Sequence, residues 1–172
     1  MNNKIIIAVD AMGGENSPKK IVDGIELSLK ESNENFFKLY GNEDKLNFLV
    51  NKKPKIKNYC EIIHCDSHIE DEESPLSAAK KSKSTSMWQS IESQNKGKSQ
   101  ITLSAGNTGA LLILSRLILS MIDGIEKPAL AGLWPNKIGT NVVLDLGAKI
   151  ECNDKDLIDF SSMGAALYKS LY

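Results

Sequence analysis

A continuous apolar run near the start of the chain, Ile-Ile-Ile-Ala-Val at residues 5–9, constrains the fold more than any other feature. Runs of β-branched residues are typical of strands that are buried on both faces of a parallel sheet. A polar loop, residues 10–16, follows the run. Ser17 is then predicted to cap a helix whose first residue is Pro18. Apolar residues recur after it at helical spacing, at Ile21, Val22, Ile25 and Leu29.

The same alternation of strands and helices continues along the sequence. We predict further strands at residues 36–40, 61–64, 101–104 and 141–146. Helices are predicted at residues 43–50, 76–82, 86–94, 108–122 and 154–171. This order predicts an α/β fold with crossover connections. Because no linker divides the chain, we expect one α/β domain over residues 1–172. The βαβ pattern calls for another strand after the last helix, so we expect the sheet to be incomplete.

Charge and composition exclude several classes of function. The 21 Lys and Arg residues nearly balance the 22 Asp and Glu residues, so no overall field attracts nucleic acid. The apolar stretch at residues 110–122 is interrupted by Arg116 and is shorter than the roughly 18 residues that span a bilayer. We expect it to be a buried helix. Three cysteines and the lack of an apolar leader predict a cytoplasmic protein without disulfides.

The segment at residues 104–110, Ser-Ala-Gly-Asn-Thr-Gly-Ala, has the composition of an anion-binding loop. It leaves a strand and enters an apolar helix, and ligands of open α/β sheets bind at the carboxyl ends of strands. Glycines admit close approach of a ligand, and the N–H groups at a helix start favour an anion. The candidate phosphate-binding residues here are Ser104, Gly106, Asn107, Thr108 and Gly109, with Asn107 and Thr108 as side-chain donors. An ordinary strand-to-helix turn with Thr108 as its N-cap explains the same spacing.

Two other strand ends combine an aspartate with glycine. Asp10 precedes Gly13 and Gly14 after the first strand, and Asp145 precedes Gly147 after the last one. All five residues are candidates for the wall of a binding cleft, which the three loops line together if their strands are neighbours. Alternatively, Asp10 caps its own loop by accepting bonds from backbone N–H groups.

Other possible sites receive less support from the sequence. Four potential metal ligands lie close together, Cys60, His64, Cys65 and His68, but their spacing fits no common zinc site. We therefore expect no metal, and no motif calls for a cofactor. No Ser-His-Asp arrangement indicates a covalent nucleophile. The basic run of Lys80, Lys81 and Lys83 is either a solvated helix face or a contact for an acidic partner.

Four motifs resemble those of the PlsX-type phosphate acyltransferases in order and spacing. They are Ala-Val-Asp-Ala-Met-Gly-Gly at residues 8–14, Ser-Ala-Gly-Asn-Thr-Gly-Ala-Leu at 104–111, Lys-Pro-Ala-Leu at 127–130 and Val-Leu-Asp-Leu-Gly-Ala at 143–148. The resemblance implies a three-layer α/β/α sandwich with a mostly parallel sheet, related to isocitrate dehydrogenases and phosphate acetyltransferases. It implies a homodimer that associates peripherally with the membrane. It also implies that inorganic phosphate and a long-chain acyl carrier protein react to give acyl phosphate for phospholipid synthesis, without a cofactor.

Two positions depart from the pattern of this family. Glu15 stands where the family usually has aspartate, and Lys149, directly after the last motif, stands where the family has asparagine. The resemblance covers the whole chain but only about half of the family's length, which leads us to expect an N-terminal portion of the enzyme. Two alternatives follow: the chain is an inert fragment or one part of a split enzyme, or it is a nucleotide-binding module. The absence of G-x-G-x-x-G weakens the latter.

Overall fold

A computed structural model describes residues 4–80, 83–148 and 151–172 of the chain. They divide into two compact units, the first ending at Leu119 and the second beginning at Ser120. The expectation of a single domain over residues 1–172 stays a prediction.

The first unit is built on a four-stranded parallel sheet. Its strands are β1 (Ile5–Asp10), β2 (Asn35–Gly41), β3 (Cys60–His64) and β4 (Ile101–Ser104), in the spatial order β3-β2-β1-β4. The last residue of β1, Asp10, lies opposite Tyr40 of β2 and Ser104 of β4. The four strands predicted at residues 5–9, 36–40, 61–64 and 101–104 are confirmed. Because β1 and β4 are neighbours, the loops that follow them leave the same edge of the sheet.

Helices flank this sheet, so the predicted α/β/α architecture is confirmed. The first unit contains α1 (Lys19–Glu31), α2 (Glu43–Asn51), α3 (Pro75–Lys80), α4 (Ser86–Asn95) and α5 (Thr108–Leu119), with a short 3-10 helix at Lys57–Tyr59. Val9 and Leu39 face a core that includes Val22 of α1 and Leu46 of α2. The neighbouring Ala8 packs with Tyr40 and Cys65 instead. This alternation follows from the period of two in a strand, which sends successive side chains to opposite faces.

Several predicted helix boundaries need correction. Ser17 does not cap α1, because its hydroxyl donates to Gly13 O at 2.6 Å and α1 begins at Lys19, after Pro18. The fifth helix ends at Leu119 rather than at residue 122, since Ser120 has a left-handed φ of 64°. It is also buried on one face only, because Leu117 is 61% exposed. The predicted end of α3 falls on residues 81–82, which lie outside the described part of the chain.

The second unit is a β-hairpin followed by a long helix. Its strands β5 (Gly132–Asn136) and β6 (Gly139–Val143) are antiparallel, and α6 spans Asp154–Leu171. Asn153 and Asp156 form a capping box that fixes the start of α6. The predicted strand at 141–146 is therefore shifted, and it pairs with β5, which we did not predict. Since β6 pairs with β5 in the hairpin, the three strands that precede the glycine loops are not neighbours in one sheet, which was the condition for a shared cleft.

Candidate functional site

The first two glycine loops touch each other at the carboxyl edge of the parallel sheet. A Cβ atom added to Gly13 would lie 3.1 Å from Gly106 Cα, and one added to Gly106 would lie 2.9 Å from Gly13 Cα. Any larger residue would therefore force the two backbones apart. The structure brings together the loop after β1 and the loop after β4, whose strands are neighbours in the sheet.

Asp10, the last residue of β1, links these two loops and is almost completely buried, with 1% of its surface exposed. Its Oδ1 accepts a hydrogen bond from Ser86 Oγ at 2.6 Å, and its Oδ2 accepts one from Ser104 Oγ at 2.8 Å. Ser104 Oγ in turn accepts the N–H of Gly106 at 3.2 Å. The hydrogen bonds that Asp10 accepts from described residues thus come from hydroxyl groups, and not from the backbone N–H groups of its own loop. Asp10 fixes the relative position of β1, β4 and α4.

Ser86 is a part of this network that the sequence did not reveal. It is the first residue of α4, is fully buried, and stands 76 positions from Asp10 in the chain. A serine after a threonine at a helix start is predicted to contribute to capping, and here Thr85 is the cap. No local pattern indicates a long-range partner for such a residue.

Asn107 has a structural role at the start of α5. Its Oδ1 accepts the N–H of Ala110 at 2.9 Å, so Asn107 is the cap of this helix and Thr108 is its first residue. The Asn107 Nδ2 group donates to the carbonyl oxygens of Asp71 and Glu73 at 2.9 and 2.8 Å. Both amide hydrogens are therefore engaged within the protein. The bond pattern ties the acidic loop before α3 to the start of α5.

Three consecutive backbone N–H groups at this point have no acceptor among the residues that the structure describes: those of Asn107, Thr108 and Gly109. Thr108 is exposed, while Asn107 and Gly109 are partly buried. The first N–H groups of a helix have no intrahelical partner, and they carry the positive end of the helix dipole. An anion that reaches Thr108 therefore meets a set of oriented donors.

The third predicted loop belongs to the second unit. Asp145 Oδ1 accepts the N–H of Leu130 at 2.9 Å, and Leu146 N–H donates to Leu130 O at 3.0 Å. Two of the sequence motifs, residues 127–130 and 143–148, are thus hydrogen-bonded to each other. Gly147 has a φ of +89°. Lys149 lies outside the described residues.

Comparison with known proteins gives a family for the chain. The family model described as fatty acid synthesis protein matches residues 5–172. The chain belongs to this family, that of the PlsX-type phosphate acyltransferases. The phosphate acyltransferase of Pelagibacter ubique is 53% identical over 172 residues, which cover 100% of this chain and 51% of that protein. The phosphate acyltransferase of Rhodospirillum rubrum is 39% identical over 171 residues, 99% of this chain and 49% of that protein.

A third member of the phosphate acyltransferase family, from Parvibaculum lavamentivorans, is 36% identical over 173 residues. Those residues cover 100% of this chain and 48% of that protein. The chain therefore spans about half the length of the curated relatives that it matches. The two interlocked loops at residues 8–14 and 104–111 belong to the shared half.

The residues considered as metal ligands contact acidic side chains or are at least partly buried. His64 Nε2 lies 3.3 Å from Asp66 Oδ1, and His68 Nε2 lies 3.1 Å from Glu70 Oε1. Burial raises the pKa of the Cys65 thiol to about 12. Within the described ranges, no group of three or more Cys, His, Asp and Glu residues could hold a metal ion. None of the described helices is long and apolar enough to cross a membrane.

Proposed function

We propose that the chain contributes the phosphate-binding half of a phosphate acyltransferase that converts a long-chain acyl carrier protein and inorganic phosphate into acyl phosphate for phospholipid synthesis. Family membership supports the reaction class. The observation that carries the proposal is the set of unbonded N–H groups at Asn107, Thr108 and Gly109, placed beside two loops in backbone contact.

The chemistry requires two kinds of support from the protein. A phosphate oxygen attacks the thioester carbonyl, the C–S bond breaks, and the carrier's sulfur leaves and takes up a proton as a thiol. Holding phosphate near the carbonyl turns an encounter in solution into a reaction between fixed groups. Hydrogen-bond donors must also stabilise the negative charge that develops on the carbonyl oxygen. The start of α5 supplies donors for the first task.

Asp10 acts through the loops and does not contact phosphate in this proposal. It is buried, and its two oxygens accept hydroxyl groups from Ser86 and Ser104. The Ser104 hydroxyl donates its hydrogen to Asp10. A lone pair on the Ser104 oxygen therefore accepts the N–H of Gly106. The network therefore holds the backbone of residues 104–106 against residue 13. Donors that are fixed before the substrate arrives need no reorganisation during the reaction.

The partners in this proposal are acyl carrier protein and inorganic phosphate. Carrier proteins are acidic, and Lys80 and Lys83 are exposed cations of the kind that such a surface would contact. Lys81, from the same basic run, lies outside the described residues. A homodimer, a cytoplasmic location and a peripheral association with the membrane complete the proposal. Nucleic acid is not among the proposed partners.

A second candidate is an inert fragment, or one part of an enzyme that assembles from two chains. Exposed apolar residues on β4 favour assembly with a second chain, because Ile101 and Leu103 at the edge of the sheet are 47% and 50% exposed. An unpaired edge strand with such side chains is a surface onto which another strand can add.

Release of free carrier thiol from a long-chain acyl carrier protein, measured with and without inorganic phosphate, tests the proposal. We expect phosphate-dependent release by the purified chain, no release by Gly106→Ala, and normal release by Gly24→Ala, whose added methyl meets open space. The full-length relative from Pelagibacter ubique serves as the positive control. If the folded chain is silent, the remaining half of that relative is added as a separate polypeptide. Turnover then indicates a split enzyme, and continued silence contradicts the proposal in favour of an inert fragment.

A further inference from the structure

Two adjacent lysines at the start of α1 have different surroundings. Lys19 Nζ forms an ion pair with Asp23 at 2.6 Å, one turn along the helix. Lys20 has no carboxylate within ion-pairing distance among residues 4–80, 83–148 and 151–172. Both side chains are exposed. One positive charge is thus neutralised locally, and the next one along the chain is not.

The Lys20 ammonium group lies against the loop that follows β1. A Cβ atom built on Gly14 would be 2.9 Å from Lys20 Nζ and 2.1 Å from the carbonyl oxygen of Ala105. The cation is therefore next to the contact between the two glycine loops. Gly14 itself has a φ of +84°, so this loop keeps its shape only with glycine at that position.

The buried carboxylate at this junction does not neutralise Lys20. Asp10 is 1% exposed, and its oxygens are occupied by the hydroxyls of Ser86 and Ser104. The polar groups on this side of the sheet include the Lys20 ammonium group, near Gly14 and Ala105, and the unbonded N–H groups of residues 107–109 in the same loop as Ala105. Donors of this kind select a compact anion with several acceptor oxygens, which is the chemistry of phosphate.

We infer that Lys20 is a phosphate-binding residue, whose Nζ contacts an oxygen of the inorganic phosphate held by the N–H groups at the start of α5. This inference rests on the proposed function and adds a residue that none of the sequence motifs contains. Lysine binds phosphate as a point charge, so its contribution is affinity for the anion and not geometric selection. Lys19, paired with Asp23, does not take part.

Titration of the full 172-residue chain with inorganic phosphate tests the inference. The amide signals of a 15N-labelled sample are followed by NMR at constant ionic strength, with chloride as the balancing anion. In the unmodified chain we expect shifts at Gly13, Gly14, Thr108 and Gly109. Lys20→Ala should weaken phosphate binding about fivefold, the effect of one exposed charge pair. Lys19→Ala, the matched control, should change it by less than about twofold, and Lys20→Arg should retain it.

The outcomes separate this inference from the proposal on which it rests. Equal affinities for Lys20→Ala and Lys19→Ala, with the loop signals still moving, overturn the role of Lys20 and leave the phosphate site in place. Absence of any shift at the loops of the unmodified chain overturns both. Because Lys20 is exposed, its replacement should leave the amide spectrum dispersed, and Lys20→Gln provides a second variant of similar length.

Discussion

Asp10 and Asp145 occupy similar positions in the sequence, each close to a strand end and ahead of a glycine, yet the structure uses them differently. In the first unit, Asp10 is buried between two serine hydroxyls, and the glycines behind it are in contact with a second loop. In the second unit, Asp145 accepts the N–H of Leu130, and no described atom lies within 4 Å of a Cβ added to Gly147. The strand end after β1, which we call the interlocked end, is in close backbone contact with a second loop. The strand end after β6, the open end, has space around its glycine among the described residues.

This difference shows that two motifs of similar composition, each an aspartate followed by glycine, can be packed very differently in the folded chain. The loops after β1 and β4 constrain each other because their strands are hydrogen-bonded neighbours in one parallel sheet. The loop after β6 has no such neighbour, since β6 pairs with β5 in a hairpin. Residues at the interlocked strand end should therefore tolerate substitution much less than their counterparts at the open one.

The largest expected effect is that of adding a methyl group at the two strand ends. Gly13→Ala places Cβ 2.5 Å from Asp10 Oδ2 and 3.1 Å from the Gly106 backbone, so it should destabilise the chain by about 3 kcal/mol, the upper range for overpacking. Gly147→Ala meets open space and should cost only about 1 kcal/mol, because of its left-handed φ. The measurement is the free energy of unfolding in urea.

Gly24→Ala is the reference for this pair. Gly24 lies inside α1 with nothing within 4 Å of an added Cβ, so alanine should stabilise the chain by up to about 1 kcal/mol. Equal losses for Gly13→Ala and Gly147→Ala would mean that the two strand ends are equally constrained, and the comparison would fail.

The interlocked strand end was only partly predictable from sequence. The β-branched run at 5–9 and the glycines after it predicted β1, its loop and the helix α1, because those signals are local. The two hydroxyl partners of Asp10 come from residues 76 and 94 positions away, and only the fold brings them together. Nothing in the sequence indicated that the Asn107 side chain donates to the backbone of a loop that is 34 to 36 residues distant.

The open strand end was predicted less well for a different reason. Strand β5 contains Pro135, which lacks an N–H donor and argues against a strand interior. It is tolerated here in a two-stranded hairpin, where one edge of each strand is unpaired. Without β5, the largely apolar segment at residues 141–146 fitted a parallel strand, and the antiparallel pairing was missed. The start of α6 at residue 154, in contrast, was predicted correctly, and its capping box at Asn153 and Asp156 is a local signal.

A smaller effect should distinguish the two asparagine caps. Asn107 caps α5 and also donates two hydrogen bonds to the loop before α3, so Asn107→Ala should cost about 2 kcal/mol. Asn153 caps α6 through a single side-chain bond from Asp156 N–H at 2.9 Å, so Asn153→Ala should cost about 1 kcal/mol. Both losses are measured as free energies of unfolding in urea.

Hydrogen exchange gives the two asparagine variants a second, local readout. Asn107→Ala should speed exchange at the amides near residues 71–73 as well as at the start of α5, while Asn153→Ala should affect only the start of α6. Protection at residues 71–73 that is unchanged in Asn107→Ala would show that the acidic loop does not depend on this side chain.

The smallest expected effect concerns two cysteines, one from each unit. Cys65 is 3% exposed, and its burial raises the pKa of the thiol to about 12, whereas Cys152 is exposed. Because the thiolate is the reactive form, iodoacetamide at pH 8 should modify Cys152 and leave Cys65 intact in the folded chain. The sites of modification are identified by mass spectrometry of the digested protein, with a urea-unfolded sample as the control in which both react.

The raised pKa of Cys65 also predicts the direction of a pH effect on stability. The folded state keeps the proton at pH values where the unfolded state has lost it, so the folded state binds more protons between about pH 9 and 12. Stability should therefore fall as pH rises through that window, and Cys65→Ala should show a smaller fall than the unmodified chain. Cys152→Ala should follow the unmodified chain.

The iodoacetamide experiment also tests the contrast between the two regions. If iodoacetamide modifies Cys65 and Cys152 at the same rate, the first unit opens as readily as the exposed segment before α6, and the contrast is lost.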